Sequence, residues 1–227
     1  MIMGAGIYQV PLIKKAKKMG LQTIVVSIPG AYPGIKLADV FLPFDTRDKE
    51  AILKSAMEYK IDGICTSGTD VAVQTIGYVN EHMHLNGISY DAAKKVTDKL
   101  LMKEAFAKAN VSTAKFCKGF SYEEAAMAAK ELGYPVIVKI VDSSGSRGII
   151  KAADLEQLRQ AYEDARAITK KEYLLIEEYI EADEIGVDGY VGEHGLELFL
   201  PHEKYPYTVD GVTVPMGHSF PYHTDDI

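Results

Sequence analysis

Tyr134-Pro135-Val136-Ile137-Val138-Lys139 runs without a break into Ile140-Val141-Asp142-Ser143-Ser144-Gly145-Ser146-Arg147-Gly148. The first part is a short, β-branched apolar run opened by proline and closed by lysine, which predicts a buried strand with a charge at its end. The second part is small hydroxyls and glycines with one arginine. Backbone N–H groups and hydroxyls of such a loop can hold phosphate oxygens, with Lys139 neutralising charge. No Gly-Lys-Ser/Thr closes it, so it is not a Walker A loop. Taken alone, the stretch reads equally as a phosphate cradle and as an ordinary hairpin with a solvated lysine. Its surroundings decide between the two.

Downstream, strand 148–151 is followed by a helix capped by Asp154 and reaching about residue 168. Leu174-Leu175-Ile176-Glu177-Glu178-Tyr179-Ile180 then forms an apolar strand that ends in two acids, and Glu184 opens the next strand. This is a solvated strand end, or it is how a purine nucleoside is read. In the second case backbone groups pair with the adenine edge, and a carboxylate accepts from ribose hydroxyls. Strands at 184–191 and 196–200 flank the turn Gly192-Glu193-His194-Gly195. Upstream, Ser121 caps a helix over 122–132 with Glu123 and Glu124 in its first turn. Residues 91–110 read as one long helix or two in series. This second region mixes antiparallel strands with helices.

The first third has a different rhythm. Short apolar strands at 1–3, 23–26, 40–42 and 63–65 alternate with helices at 10–19, 48–59 and 70–82, the last with Val71, Ile76 and Val79 on its apolar side. Strand–helix alternation predicts a parallel sheet covered on both faces. Gly4-Ala5-Gly6 lies between the first strand and its helix. Gln9 stands where a dinucleotide fingerprint has its third glycine, and Ser27 where it has its acid. A tight βα turn is therefore favoured over dinucleotide binding, and a small anion resting on the helix N-terminus is a further option. The fold class is α/β, with a Rossmann-like parallel-sheet domain at 1–93 and an α+β domain at 94–227.

Composition excludes several functions. The 227 residues are 47% hydrophobic and 25% charged, as in folded globular chains. Lys and Arg number 25 against 32 Asp and Glu, a net charge of −7, which argues against a uniformly basic surface for nucleic acid or anionic membrane. No run has the apolar length of a membrane span. Cys65 and Cys117 are far apart and read as structural residues of a reducing compartment, Cys65 as buried packing. The opening residues lack a signal-peptide pattern, so the expected location is the cytoplasm. The six histidines show no metal spacing. Tyr205 and Tyr207 read as packing residues or as a cover over a ligand. The lysines between 94 and 108 read as a solvated helix face, with Lys99 set apart by its motif.

The order of these elements resembles the ATP-grasp superfamily over nearly the whole chain, most of all its carbamoyl-phosphate-synthase-like branch. Thr97-Asp98-Lys99 with Met102-Lys103 is similar to the helix whose lysine, here Lys99, reaches the ATP phosphates. The strand ending in Lys139 resembles the carrier of the second ATP lysine. Ser143, Ser144, Gly145, Ser146, Arg147 and Gly148 resemble the glycine-rich lid over the phosphates. Glu177, Glu178, Tyr179 and Ile180 resemble the adenine hinge, and Glu184 the ribose carboxylate. The resemblance implies a lid at about 116–181 and the start of a central sheet at 182–227. It places Gly6, Tyr8, Gln9, Thr69 and Asp70 on the substrate side of the first domain, and Lys204 and His218 on the substrate side of the second.

The resemblance implies ATP as cofactor, with magnesium. The family's metal-binding glutamate and Glu-x-Asn strands have no counterpart here, since Asp210, Asp225 and Asp226 do not fall in that pattern. The implied function is the ATP-binding part of a ligase that activates a carboxylate or bicarbonate as an acyl phosphate for attack by an amine. A catalytically incomplete nucleotide-binding module is the alternative, and a dinucleotide-binding protein a lesser one. The implied partners are small-molecule substrates and either a partner chain or a C-terminal remainder, with homo-oligomerisation left open.

Overall fold

The structure, a computed structural model, describes residues 1–142, 148–209 and 212–223. The chain divides into two compact units, Met1–Thr113 and Ala114–Ile227. The expected domain boundary at 93/94 precedes that division, so the helix that begins at Lys99 is counted with the first unit.

In the first unit, strands β1 (Ile2–Met3), β2 (Ile24–Val26) and β3 (Val40–Leu42) form a parallel sheet in the order β1-β2-β3. The predicted strand at 63–65 is reduced to one parallel bridge, between Ile2 and Cys65. Helix α1 (Val10–Lys18) joins β1 to β2, α2 (Lys49–Glu58) lies between β3 and the Cys65 bridge, and α3 (Val73–Met83) follows that bridge. Met3, Ile24, Val26, Ile52, Ile76 and Val79 form one core cluster, and Ile2, Ala5, Ile13 and Val25 another. Successive residues of β1 and β2 thus enter different clusters. That is the signature of a sheet buried on both faces.

Two expectations are corrected here. Val71 was placed on the apolar side of a helix starting at residue 70, but α3 starts at Val73 and Val71 is exposed, while Ala72 is fully buried. Cys65 is exposed rather than buried. The stretch 91–110 resolves into α4 (Tyr90–Thr97) and α5 (Lys99–Lys108). The break is Asp98, whose extended backbone leaves the first helix while its carboxylate accepts from the N–H groups of Leu100 and Leu101 at 3.0 and 3.2 Å. An aspartate that satisfies two orphan donors starts a new helix at the cost of the old one.

The second unit is built on a four-stranded antiparallel sheet. It comprises β4 (Phe116–Gly119), β5 (Val136–Lys139), β6 (Ile149–Ala152) and β7 (Leu174–Glu178), in the order β4-β7-β5-β6. Helices α6 (Tyr122–Leu132) and α7 (Leu155–Ile168) pack on one face through Ala125, Ala129, Leu158, Ala161 and Ala165 against Val136, Val138, Leu174 and Ile176. Both helices start as their caps predict. Ser121 accepts from Glu124 N–H at 3.2 Å and Asp154 from Gln157 N–H at 2.9 Å, while the Glu124 and Gln157 side chains reach back to the N–H groups of Phe120 and Ala153. A second antiparallel sheet, β8 (Ile185–Gly192), β9 (Gly195–Val209) and β10 (Val212–Ser219), follows in the order β10-β9-β8. The two-residue turn at Glu193 and His194 falls where the glycines predicted it, and Gly195 has φ of +98°.

Asp39 clamps the edge of the first sheet. Its carboxylate accepts from Lys17 and from both the N–H and hydroxyl of Thr23, at 2.8 Å each for Thr23. Those bonds, Lys17 foremost, hold its pKa down to about 2. A depressed carboxyl stabilises the fold fully above its unfolded value of about 4 and loses that contribution as pH falls toward its folded value. An NMR titration of the Asp39 side-chain carbon is expected to show a midpoint about two units below a free aspartate. A midpoint at the ordinary carboxylate value contradicts the clamp.

Candidate nucleotide-binding site

The cross-strand register of the four-stranded sheet assembles the site. Phe116, Glu177, Ile137 and Lys151 lie opposite one another in one row, and Lys118, Leu175, Lys139 and Ile149 in the next. Directly opposed residues of an antiparallel ladder project from the same face. The alternate residues carry the helices, so both rows stand on the helix-free face. Three lysines and four apolar side chains on one sheet face suit a ligand with a flat apolar part and several negative charges.

Lys139 and Glu177 are joined at the centre of this face. The Lys139 ammonium donates to Glu177 Oε2 at 2.7 Å, with the glutamate side chain 5% exposed and the lysine side chain 25% exposed. Lys151 lies over the Tyr179 ring, 3.6 Å from its centroid. The predicted hinge thus divides its side chains. Glu177 turns to Lys139, and Tyr179 lies under Lys151. Ile180 is exposed. Glu178 turns away to Lys115, whose N–H it binds at 2.7 Å. The Glu178 and Tyr179 N–H groups are themselves given to Lys115 and Pro135 carbonyls at 3.0 and 3.3 Å.

The loop between β5 and β6 is tied down at both ends. Asp142 accepts from the Thr169 hydroxyl at 2.6 Å and Lys170 N–H at 3.0 Å. Burial alone raises its pKa, but these bonds outweigh it and hold the carboxyl below its usual range. The Gly148 carbonyl accepts from Ile140 N–H at 3.0 Å; Gly148 has φ of +67°, and a Cβ there would lie 2.5 Å from Ile140 Cδ1. Only glycine fits. Ser143, Ser144, Gly145, Ser146 and Arg147, assigned to the lid, lie outside the described residues.

The second sheet unites three other assigned residues. Glu184 and Lys204 form an ion pair, and Lys204 lies directly opposite His218 in the ladder. His218 Nδ1 is 3.1 Å from His202 Nδ1. His202, read from the sequence as solvated or on the substrate side, is buried instead, its ring 2.0 Å from where a Cβ on Gly186 would stand. A glycine inside a strand was the available signal.

In the first unit the assigned residues gather at the carboxyl ends of the parallel strands, where open α/β sheets place ligands. Gln9 is buried and both ends of its amide are used. Its oxygen accepts from Gly6 N–H at 2.9 Å and its nitrogen donates to the Ser67 carbonyl. Ser67 returns a bond from its hydroxyl to the Tyr8 carbonyl at 2.8 Å. Gln9 therefore ties two loops together, leaving Tyr8 and Asp70 exposed and Thr69 half-buried beside them. Gly4, with φ of +94°, would put a Cβ 3.0 Å from the Gln9 amide carbon. Lys99 lies in the first turn of α5 and is half-buried. Lys103, one turn on and unassigned from sequence, is buried with its ammonium 2.9 Å from the Thr113 hydroxyl. A cavity of about 540 Å³ opens at the opposite, amino-terminal ends of β1 and β2. The loop geometry, not that cavity, marks the chemical end of this unit.

Comparison with known proteins agrees with this geometry. Residues 98–186 match the family described as carbamoyl-phosphate synthase L chain, ATP binding domain. Among curated relatives, a formate-dependent phosphoribosylglycinamide formyltransferase of Prochlorococcus marinus (strain MIT 9515) is 24% identical over 187 residues, covering 81% of this chain and 48% of the relative. The 2-oxoglutarate carboxylase small subunit of Hydrogenobacter thermophilus is 28% identical, covering 75% of this chain and 40% of the relative. The chain spans about half the length of the curated relatives it matches. Among solved structures, phosphoribosylglycinamide synthetase from Anaerococcus prevotii aligns with 99% of this chain at a TM-score of 0.78 and 31% identity, with 56% of that protein covered. The N5-carboxyaminoimidazole synthetase of Staphylococcus aureus complexed with ADP shares the fold at a TM-score of 0.80 and 19% identity.

Replacing Gln9 by leucine is expected to destabilise the chain by about 1–3 kcal/mol, because two loops lose their shared bonds and Gly6 N–H its acceptor. Equilibrium denaturation measures this, and a loss below about 0.5 kcal/mol would deny Gln9 its bridging role. Residues 98–186 are thus similar to an ATP-binding domain of the carbamoyl-phosphate synthase L chain type, and the chain shares its fold with phosphoribosylglycinamide synthetase.

Proposed function

We propose that this chain is the ATP-binding part of an ATP-grasp ligase that activates a carboxylate, or bicarbonate, as an acyl phosphate for attack by an amine. The observation that carries the reading is the helix-free sheet face, with the Lys139–Glu177 pair at its centre, inside the segment that matches an ATP-binding domain. The adenine would lie against Phe116 and Ile137 near the hinge at 177–180. Its phosphates would extend toward Lys139 and the loop closed by Gly148. Lys139 serves as the phosphate lysine of this unit and Glu184 as its ribose carboxylate. A lysine is a point charge that follows a moving phosphoryl group, and spreading its charge is the protein's share of phosphoryl transfer. Backbone amides of the loop would add to this and exclude water from an acyl phosphate.

Magnesium bound with ATP would supply charge neutralisation at its phosphates. Among the described residues, no group of three or more His, Cys, Asp or Glu side chains could hold a metal ion. The role assigned to this part is to hold nucleotide.

The second reading is a nucleotide-binding module that acts only with further polypeptide, as a partner chain or a remainder. The β8–β10 sheet favours it. Ile185, Val187 and Phe199 are exposed on one face, and Tyr190, Leu198 and Leu200 on the other. A sheet apolar on both sides suits cover on both sides. Release of ADP from ATP by this chain alone, given magnesium and a carboxylate, would exclude this second reading. A dinucleotide site is left without support in the residues, since the buried Gln9 fills the space a third glycine would open.

Lys139→Ala is expected to weaken ATP binding about 10- to 100-fold, the worth of a charge-assisted hydrogen bond. Calorimetric titration checks this on a variant whose circular dichroism matches the parent. An affinity equal to the parent's would remove Lys139 from the site.

A further inference from the structure

We infer that the loops at the carboxyl ends of the parallel strands in the first unit bind an ammonium-bearing compound with an apolar body, and not a phosphate ester. Binding at this rim stands on the first unit alone. That the compound is one substrate of a ligase rests on the reading above.

Three of these loops are tied together by the protein itself. Gly34 N–H donates to the Ala5 carbonyl at 2.8 Å, and the Thr66 hydroxyl to the Met3 carbonyl at 2.6 Å. Gln9 and Ser67 fasten the first loop to the last, where a Cβ on Gly68 would stand 2.7 Å from Tyr8 Cβ. A rim fixed in this way needs little ordering when a ligand binds. It nevertheless holds large apolar side chains in water. Ile7 is 73% exposed, Tyr8 72%, Val71 56% and Ile28 48%. Ile7 and Tyr8 follow β1, Ile28 follows β2 and Val71 follows the Cys65 bridge, so all four stand at one end of the sheet. Exposed apolar groups on a tied backbone suit an apolar ligand.

The polar groups of the rim select the ligand's charge. A phosphate needs cations or unspent N–H groups. The glycine turn has spent its own. Gly4 N–H is given to the Val26 carbonyl at 2.7 Å, and Gly6 N–H to the Gln9 side-chain oxygen at 2.9 Å. The Gln9 carboxamide thus takes the place of an anion on that turn. Residues 4–9, 27–34 and 66–71 contain no Lys or Arg. The loop after β3 carries Arg47, but both oxygens of Asp45 engage its guanidinium, at 2.6, 3.0 and 3.2 Å. Asp48 caps α2, accepting from Ala51 N–H at 3.2 Å. Asp70 differs from these acids, being exposed and in no ion pair among the described residues. One open carboxylate among exposed apolar side chains attracts an ammonium and repels a phosphate.

The test follows the amide NMR signals of residues 6–9 and 66–71 in the full chain, without nucleotide, as four probes are added. Phenethylamine, 2-phenylethanol and 3-phenylpropanoate share an aromatic body and differ in charge, and ribose 5-phosphate represents a phosphate ester. Phenethylamine is expected to bind about two- to fivefold tighter than the alcohol, the worth of an exposed ion pair, with phenylpropanoate weaker than both and ribose 5-phosphate shifting none of these signals. Asp70→Asn should make the amine and the alcohol equal, and Asp70→Lys should reverse the order of amine and carboxylate. Tyr8→Ala should weaken all three aromatic probes together. Both side chains are exposed, so these variants leave the core intact. Phenylpropanoate or ribose 5-phosphate binding as tightly as the amine overturns the inference. An amine that shifts none of these signals, or that keeps its advantage in Asp70→Asn, overturns it equally. ATP titrated separately into the parent tests the ligase reading. ATP bound without amine at the rim defeats the inference alone, and amine at the rim without ATP bound defeats the ligase reading alone.

Discussion

Alternation along four residues, Val136 to Lys139, organises the second unit. Val136 and Val138 are fully buried against α6 and α7, so Ile137 and Lys139 must project from the other face. A one-residue slip would bury the lysine among alanines and leave the valines in water, so the helix core fixes the register. Once fixed, the register brings Glu177 beside Lys139 and lines up Phe116, Lys118, Ile149 and Lys151 on the same surface. The packing of the helices thus dictates the electrostatics of the face they do not touch. Chemistry and stability share one strand but use alternate residues of it.

The first unit solves its problem differently. Its parallel sheet is buried on both faces, so no face is left for a ligand and the chemistry moves to the strand ends. There the constraint is loop geometry. Gln9 occupies the space a dinucleotide-binding turn leaves open, and spends its amide on Gly6 and Ser67. The turn thereby becomes a compact rim. Tyr8, Thr69 and Asp70 are presented on that rim.

Much of this was legible in the sequence, because it depends on local rules. Short apolar runs located the strands of both units, and Ser121, Asp154 and the Gly192–Gly195 turn located helix starts and the hairpin. The nucleotide segment was legible from motif order, and residues 98–186 match an ATP-binding domain. What stayed hidden depends on register between distant strands. Nothing near Glu177 in the chain announces that it pairs with Lys139, nor that Glu184 pairs with Lys204, since each partnership exists only after strands align. The extension of β9 to Val209 and the existence of β10 were also hidden, because Pro201, Pro206 and Pro215 interrupt the pattern expected of strands. Val71 misled because its apolarity fits a helix face, whereas Ala72 takes the buried position with less volume. Cys65 misled because a strand position implies burial, and here the strand amounts to a single bridge.

The central claim is that the helix-free face of the four-stranded sheet holds an adenine nucleotide. Amide hydrogen exchange with and without ATP tests it most directly. Protection is expected in the strands of Ile137, Lys139 and Lys151 and in the hinge at 177–180, with α7 on the far side of the sheet unchanged. Protection confined to the Gly4–Gln9 loop, or none at saturating ATP, would contradict the account.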